Sequence, residues 1–393
     1  MLGCTGSIGD STFDVIESLG RDRFPVVALS AGRRVEKLVE RALAWGPRYV
    51  CVADGADETR VRDNLPSSIA VLSGVAGLRE IAAIDEIDVV VNGLVGAAGL
   101  LPTLDAVCAG KKVAMANKEP LVMAGGIILD AARAHGGEIL PIDSEPSAIW
   151  QCLHGEPRES LKRIVLTASG GPFRGLTREQ MVQVTPQQAL AHPTWKMGSK
   201  ITVDSATLMN KGFEVIEASW LFDVEIDQID VIVHRESVVH SMVEFADGSW
   251  LAHLGKTDMK LPIQYALTHP GRQPATLEAL DLIAVGALHF EEPDWTGFPC
   301  LRLCCEAGRR GGCAPAALNA ADEVAVAAFL EGRIGFLDIY EINREVCEQA
   351  GGPLAQGNVA SLTDVLEADG DARRLASALV GRRARRGDTS QIT

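Results

Sequence analysis

The sequence predicts an α/β protein: a doubly wound, Rossmann-type amino-terminal domain lacking its first strand, an α+β catalytic domain and a carboxyl-terminal helical domain. Three observations lead there. Hydrophobic residues make up 47% of the 393 positions and aromatics only 5%, so the core must rest on Ala, Val, Leu and Ile, as buried parallel sheets with covering helices do. Apolar runs of strand length alternate with helical patterns as far as Asp143. A glycine-rich turn, Gly3-Cys-Thr-Gly-Ser-Ile-Gly9, opens the chain ahead of a helical pattern.

Taken in order, residues 24–29, 49–53, 88–92, 112–116 and 138–142 are expected strands, with helices such as 35–45 and 100–109 between them. The helix after the glycine turn is placed near Ser11. Only Met1 and Leu2 precede Gly3, too few for the strand that should deliver the chain into the turn. Its neighbours would lose ladder partners and buried surface, so the true start is expected several residues upstream. Past Asp143 the texture changes to strands at 161–167, 229–233, 238–245 and 250–254, the last two joined by Asp247-Gly248, a hairpin signal. From Pro315 onward the pattern is helical, at 316–329, 337–349, 361–368 and 370–380. The expected division is therefore 1–143, 144–275 with a lid loop at 185–200, a linker at 276–312, and 313–393.

A formal charge of −15, from 37 basic and 52 acidic residues, argues against a nucleic-acid-binding surface. The basic run at 382–386 is read as a solvated, frayed terminus. No apolar run is long enough to span a bilayer and no charged-then-apolar leader follows Met1, so a soluble, cytoplasmic protein is expected. Nine cysteines, an odd number, suit reduced thiols. Cys300, Cys304, Cys305 and Cys313 cluster without a Cys-x-x-Cys knuckle, which weakens a zinc reading.

The chemistry-bearing residues fall into four groups. In the glycine turn, Thr5, Gly6, Ser7 and Ile8 would present backbone donors and a helix terminus to a pyrophosphate. After the strand expected at 24–29, the second once the missing one is counted, where an NAD enzyme carries an acid for the ribose hydroxyl, this chain has Gly32-Arg33-Arg34, which suits a 2′-phosphate and favours NADP. Asp143, Glu145 and Glu214 could chelate a hard divalent cation, while Ser205, Asn210 and Lys211 offer donors for a phosphorylated, hydroxylated substrate. Residues 192–198, carrying His192 and Trp195, read as a Pro-marked lid able to exclude water. His240, His253 and His269 have no partner at ligand spacing and read as structural. Each residue also has a plain alternative: capping acids, a helix-face charge, a surface Asn-Lys-Glu turn, or a Trp packed into a crevice.

Nearly end to end, the sequence resembles the 1-deoxy-D-xylulose 5-phosphate reductoisomerase family of the non-mevalonate isoprenoid route. The resemblance rests on Gly3 to Gly9, Val95-Gly-Ala-Ala-Gly-Leu-Leu-Pro102, Ala116-Asn-Lys-Glu119, Asp143-Ser-Glu145, Ser169-Gly-Gly-Pro-Phe173, His192-Pro-Thr-Trp-Lys-Met-Gly198, Val203-Asp-Ser-Ala-Thr-Leu-Met-Asn-Lys-Gly212 and Ala317-Leu-Asn-Ala-Ala-Asp-Glu323. It implies NADPH and Mg²⁺ or Mn²⁺ as cofactors, the metal held by Asp143, Glu145 and Glu214. Asn117, Glu119 and Gly198 would join the cofactor site. Substrate would meet Lys118, Ser144, Glu145, Ser169, His192, Trp195, Ser205, Asn210, Lys211 and Glu214, with Lys118 linking nicotinamide to substrate. The implied reaction isomerises and then reduces a sugar phosphate, and the implied assembly is a homodimer. Two positions depart from the family pattern: Pro146 replaces a usual His, and Ala168 a common Gly. The competing expectations are an NADP-linked reductase without the isomerase step, and a catalytically silent nucleotide-binding protein lacking its first strand.

Overall fold

The computed structural model describes residues 1–274, 277–349 and 361–389. They form two compact units, one of Met1–Pro120, Gly126–Ser147 and Asp258–Leu280, the other of Leu121–Gly125, Ala148–Thr257 and Asp281–Thr393. The units interleave along the chain, unlike the consecutive segments expected from sequence.

In the first unit, strands β1 (Ala28–Ala31), β2 (Tyr49–Val52) and β3 (Ala70–Ser73) pair in parallel in that order, as do β4 (Val89–Asn92), β5 (Lys112–Met115) and β6 (Glu138–Pro141). The place of the expected missing strand is held by the first residues present. Leu2 donates its N–H to Val91 O (2.8 Å) and accepts from Gly93 N (3.0 Å), while Cys4 donates to Ser30 O (2.8 Å) and Met1 O accepts from Ser30 N (2.9 Å). The helix Ser7–Leu19 begins a turn earlier than expected, because Gly6 takes the extended N-cap conformation. Helix Val35–Trp45 runs as expected and is stopped by Gly46 at φ 59. Phe13, Leu29, Leu38, Val50 and Val61 fill the space between these helices and β1 and β2.

The second unit is built on a four-stranded sheet in the order β10 (Trp250–Leu254), β9 (Val239–Phe245), β7 (Leu161–Ala168) and β8 (Ile229–Val233), with only the β7–β8 pair parallel. The β9–β10 hairpin turns through Gly248 at φ 87. Helices Ser199–Thr207 and Met209–Phe222 meet at Leu208, a non-glycine residue at φ 60.

Residues 300–310, expected in a linker, form the helix Cys300–Arg310, whose buried face packs on Met209–Phe222 so closely that a Cβ at Gly212 would lie 2.4 Å from Cys304 Cβ. Among the described residues three helices follow: Ala314–Leu330, Phe336–Gln349 and Leu362–Thr389. The last continues through Gly370, where two helices were expected, and Arg383 of the basic run pairs with Asp338 and Glu345 instead of fraying into solvent. Ile164, Leu166, Phe213, Leu301, Leu318 and Phe329 belong to one core, so sheet and carboxyl-terminal helices share their apolar interior. Among the described residues no helix is long and apolar enough to cross a membrane.

Candidate functional site

In the first unit, the turn entering helix Ser7–Leu19 is shaped by what its glycines touch. A Cβ at Gly3 would lie 2.6 Å from Gly93 O, and one at Gly9 would lie 2.3 Å from Cys4 O, so both glycines are required by packing. At Gly6 the nearest atom to such a Cβ is Gly3 O at 3.4 Å, which leaves that side of the turn open to a ligand. No side chain caps the helix, so its first N–H groups are left for an anion. Thr5 is buried, Ser7 exposed and Ile8 half-buried and packed near Gly93. Beyond β1, Gly32, Arg33 and Arg34 are exposed, and neither arginine enters an ion pair among the described residues.

At the end of β5, Asn117 donates to Gly96 O (3.2 Å) and to Glu119 Oε2 (2.6 Å), and Gly99 packs against it too tightly for any side chain. Lys118 follows, and its Nζ lies 2.5 Å from Asp143 Oδ2 at the end of β6. Asp143 heads the helix Ser144–Cys152: its Oδ1 accepts from Ser144 N (3.0 Å), its carbonyl from Ser147 N (2.9 Å). Ser144 Oγ donates to Glu145 Oε2 at 2.6 Å. Pro146 sits in the first turn, where its missing N–H costs no helical bond.

In the second unit, Ser169 and Ser205 are brought together by one imidazole. His192 Nε2 lies 3.0 Å from Ser169 Oγ and 3.1 Å from Ser205 Oγ. Its Nδ1 accepts from the N–H groups of Thr194 (3.2 Å) and Trp195 (2.9 Å), so the ring proton sits on Nε2. Burial lowers the His192 pKa, which keeps this neutral tautomer. After Ser169, Gly170 and Gly171 both have positive φ, and a Cβ on Gly171 would lie 2.8 Å from Ser205 O. The Gly171 N–H donates to Ser169 Oγ at 3.2 Å, so the turn closes on the serine itself. On helix Met209–Phe222, Glu214 is wholly buried; Oε1 accepts from Asn210 Nδ2 (2.6 Å) and Oε2 pairs with Lys211. Gly198 is the extended N-cap of Ser199–Thr207, and Trp195 lies 6.1 Å from the His240 ring.

A model of 1-deoxy-D-xylulose 5-phosphate reductoisomerase matches residues 1–125, and models of its carboxyl-terminal domains match 139–222 and 254–375. A 1-deoxy-D-xylulose 5-phosphate reductoisomerase from Geobacillus sp. (strain WCH70) is 49% identical over 97% of this chain and 99% of its own. The same enzyme from Pseudomonas savastanoi pv. phaseolicola is 49% identical over 98% of each. The chain belongs to the 1-deoxy-D-xylulose 5-phosphate reductoisomerase family. A solved DOX-P reductoisomerase in complex with NADPH, fosmidomycin and magnesium superposes with a TM-score of 0.92 at 41% identity, covering 97% of each chain. The Zymomonas mobilis reductoisomerase in complex with NADPH gives 0.87 at 43% identity, over 96% of this chain and 97% of that one.

The side chains present fit what a reductoisomerase of this family would hold. Asp143, Glu145 and Glu214 offer oxygen alone, the donor type of Mg²⁺ and Mn²⁺, and Asp143 and Glu214 are buried. The four clustered cysteines are free and buried, and form no metal-holding group among the described residues. Sequence reasoning missed several supporting residues. Lys37 Nζ contacts Asp10 (2.7 Å) and Thr5 O (3.3 Å), bracing the glycine turn across residues distant in sequence. Lys200 Nζ bridges Asp204 (2.7 Å) and Asp322 (3.2 Å) behind Ser205. A Lys-x-x-x-Asp spacing on the helix was a visible signal for the first of these two bonds only.

Proposed function

We propose that this chain catalyses the NADPH- and divalent-metal-dependent isomerisation and reduction of 1-deoxy-D-xylulose 5-phosphate to 2-C-methyl-D-erythritol 4-phosphate, in isoprenoid precursor biosynthesis. The observation that carries this reading is family membership across the chain, at 49% identity over 97% of its length. The alternatives, a simple NADP-linked reductase or a silent nucleotide-binding protein, are not favoured by it.

Asp143, Glu145 and Glu214 are the proposed metal ligands; Thr5, Gly6, Ser7, Ile8, Gly32, Arg33, Arg34, Asn117, Glu119 and Gly198 the proposed cofactor contacts. When bound, the cation stabilises negative charge on substrate oxygens as the carbon skeleton rearranges, and NADPH supplies the hydride. The remaining work falls to side chains. Ser169, Ser205, Asn210 and Lys211 bind the phosphate, the two hydroxyls oriented by the Nε2–H of neutral His192. Lys118, fixed by Asp143, orients the reacting carbons and stabilises charge beside them, with Ser144 and Glu145 at the substrate hydroxyls. Trp195 covers the bound substrate and excludes water. The working form is proposed as a cytoplasmic homodimer, which light scattering and cell fractionation test.

The deciding assay follows NADPH absorbance with 1-deoxy-D-xylulose 5-phosphate, first with Mg²⁺ or Mn²⁺ and then with chelator. Turnover that stops on chelation supports the reading. Turnover that ignores the chelator points to a simple reductase, and none under any metal sinks it.

A further inference from the structure

Behind the Ser169 turn, the residues after β8 are gripped by a segment from elsewhere in the second unit. Glu236 accepts two hydrogen bonds from one residue, His289: from its Nδ1 at 2.5 Å and from its backbone N–H at 3.2 Å. His234 is wholly buried, and its Nε2 accepts from Val238 N–H (3.2 Å), so its proton sits on Nδ1 and is donated to His289 O at 2.9 Å. The Phe290 ring stacks on His234 with centroids 4.9 Å apart. Val233 and Glu291 exchange backbone hydrogen bonds of 2.8 and 2.9 Å, and Arg235 pairs with Glu291. Residues 289–291 are therefore engaged one after another by residues 233–236.

The gripped turn reaches two parts of the proposed substrate site. His234 N–H donates to Ala168 O at 2.7 Å, immediately before Ser169, and a Cβ at Gly170 would lie 3.1 Å from Val233 Cγ1. Ser237, held at φ 52, places its Oγ 3.3 Å from Thr194 Oγ1, in the loop that carries His192 and Trp195. A non-glycine residue keeps such a backbone only where its surroundings over-determine it. Glu236 and His289 supply that constraint from the far side of the turn, and neither belongs to the proposed metal, cofactor or substrate set.

We propose that Glu236 and His289 are positioning residues for substrate binding, a clasp that fixes the 234–238 turn and through it the Ser169 turn and the Thr194 loop. The proposal rests on the reductoisomerase reading above. A clasp that served stability alone would leave the kinetic constants in place once the protein had folded.

The test is steady-state kinetics of the full chain with its metal, varying each substrate in turn, for wild type, H289A, H289N and E236A. In H289A, which loses one charge-assisted hydrogen bond, the KM for 1-deoxy-D-xylulose 5-phosphate is expected to rise roughly tenfold, and in E236A, which loses two, at least as much, with kcat changed far less in both. The KM for NADPH, whose proposed contacts lie mostly in the first unit, should stay near wild type. H289N should recover most of the loss, because the Asn amide can donate where Nδ1 did. An unchanged KM for the sugar phosphate in H289A, or no recovery in H289N, overturns the proposal. Should H289A and E236A fail to fold, E236Q decides: a raised sugar-phosphate KM with NADPH intact supports the clasp, and wild-type constants reject it. Wild-type protein without turnover would instead count against the reductoisomerase reading.

Discussion

Lys118 Nζ lies 2.5 Å from Asp143 Oδ2, and the two side chains are 4% and 11% exposed. In so little water, removing one charge takes from the other an ion-pair partner that solvent cannot fully replace. K118M should lower stability by about 3–5 kcal/mol in the metal-free protein, the usual cost of breaking a buried pair. Catalysis should fall by roughly two to three orders of magnitude, since a fixed charge beside the reacting carbons is lost as well. Urea titration and NADPH turnover check the two halves. Wild-type turnover in K118M would remove Lys118 from the catalytic set.

Glu214 is a second buried carboxylate, with Asn210 and Lys211 among its partners. A cation that binds only the folded protein stabilises it, by about 2.7 kcal/mol at a hundred times its Kd. Mg²⁺ should therefore raise the wild-type melting temperature, and E214Q should lose most of that rise along with turnover at ordinary metal concentrations. An E214Q protein that melts and turns over like wild type at saturating metal would strike Glu214 from the ligands.

Where these proposed ligands stand was legible in the sequence, because each lies in a short motif with an evident local position: Asp143 heading a helix, Glu214 one turn past Asn210 and Lys211. The longer strands were legible for a similar reason, being apolar runs between polar turns. Strand β3 escaped because none of Ala70–Ser73 is wholly buried, whereas its equally short neighbours β1 and β2 bury most of their residues. The helix Cys300–Arg310 escaped because its buried stripe is drawn largely in cysteine, which also suggests metal or linker chemistry. Gly370 looked like a break, yet packing of the helix Leu362–Thr389 on its neighbours outweighs the roughly 1 kcal/mol that an interior glycine costs. The His192 link between Ser169 and Ser205 joins residues 36 positions apart, and only the fold brings them together.

Acid should weaken the protein through its buried histidines. His240 is held down to about 4, first by burial and next by the charge of His253, against 6.5 when exposed. Between those values the unfolded chain binds a proton that the folded one refuses, so stability rises with pH across that window. The contribution is complete above pH 6.5 and is lost as pH falls toward 4, a difference of about 3 kcal/mol. His192, lowered by burial, acts in the same direction. Urea midpoints at pH 7, 5.5 and 4.5 measure the slope, which H240Q should flatten; an identical slope in that variant would locate the sensitivity elsewhere.

Two glycines of the first turn should respond oppositely to alanine. At Gly9 the added Cβ would meet Cys4 O at 2.3 Å, so G9A should cost both stability and cofactor binding. At Gly6 the nearest atom is 3.4 Å away, so G6A should melt near wild type while binding NADPH more weakly, its methyl occupying space the pyrophosphate needs. Calorimetry of the cofactor beside a melting curve separates the cases. If both variants bind NADPH normally, the turn is not the pyrophosphate site.

The seam at Leu2 and Cys4 would tie the endurance of this protein to the occupancy of the turn that follows it. Each triplet of strands is assembled from near neighbours in the chain, whereas the seam between them pairs Leu2 with Asn92 and passes directly into the turn at Thr5 to Ile8. A dinucleotide seated on that turn would act as a rivet across the seam, and its departure would leave the line along which the sheet parts first. Lifetime against proteases would then follow the supply of the dinucleotide in either oxidation state, so that an enzyme starved of nucleotide is also the one soonest cleared.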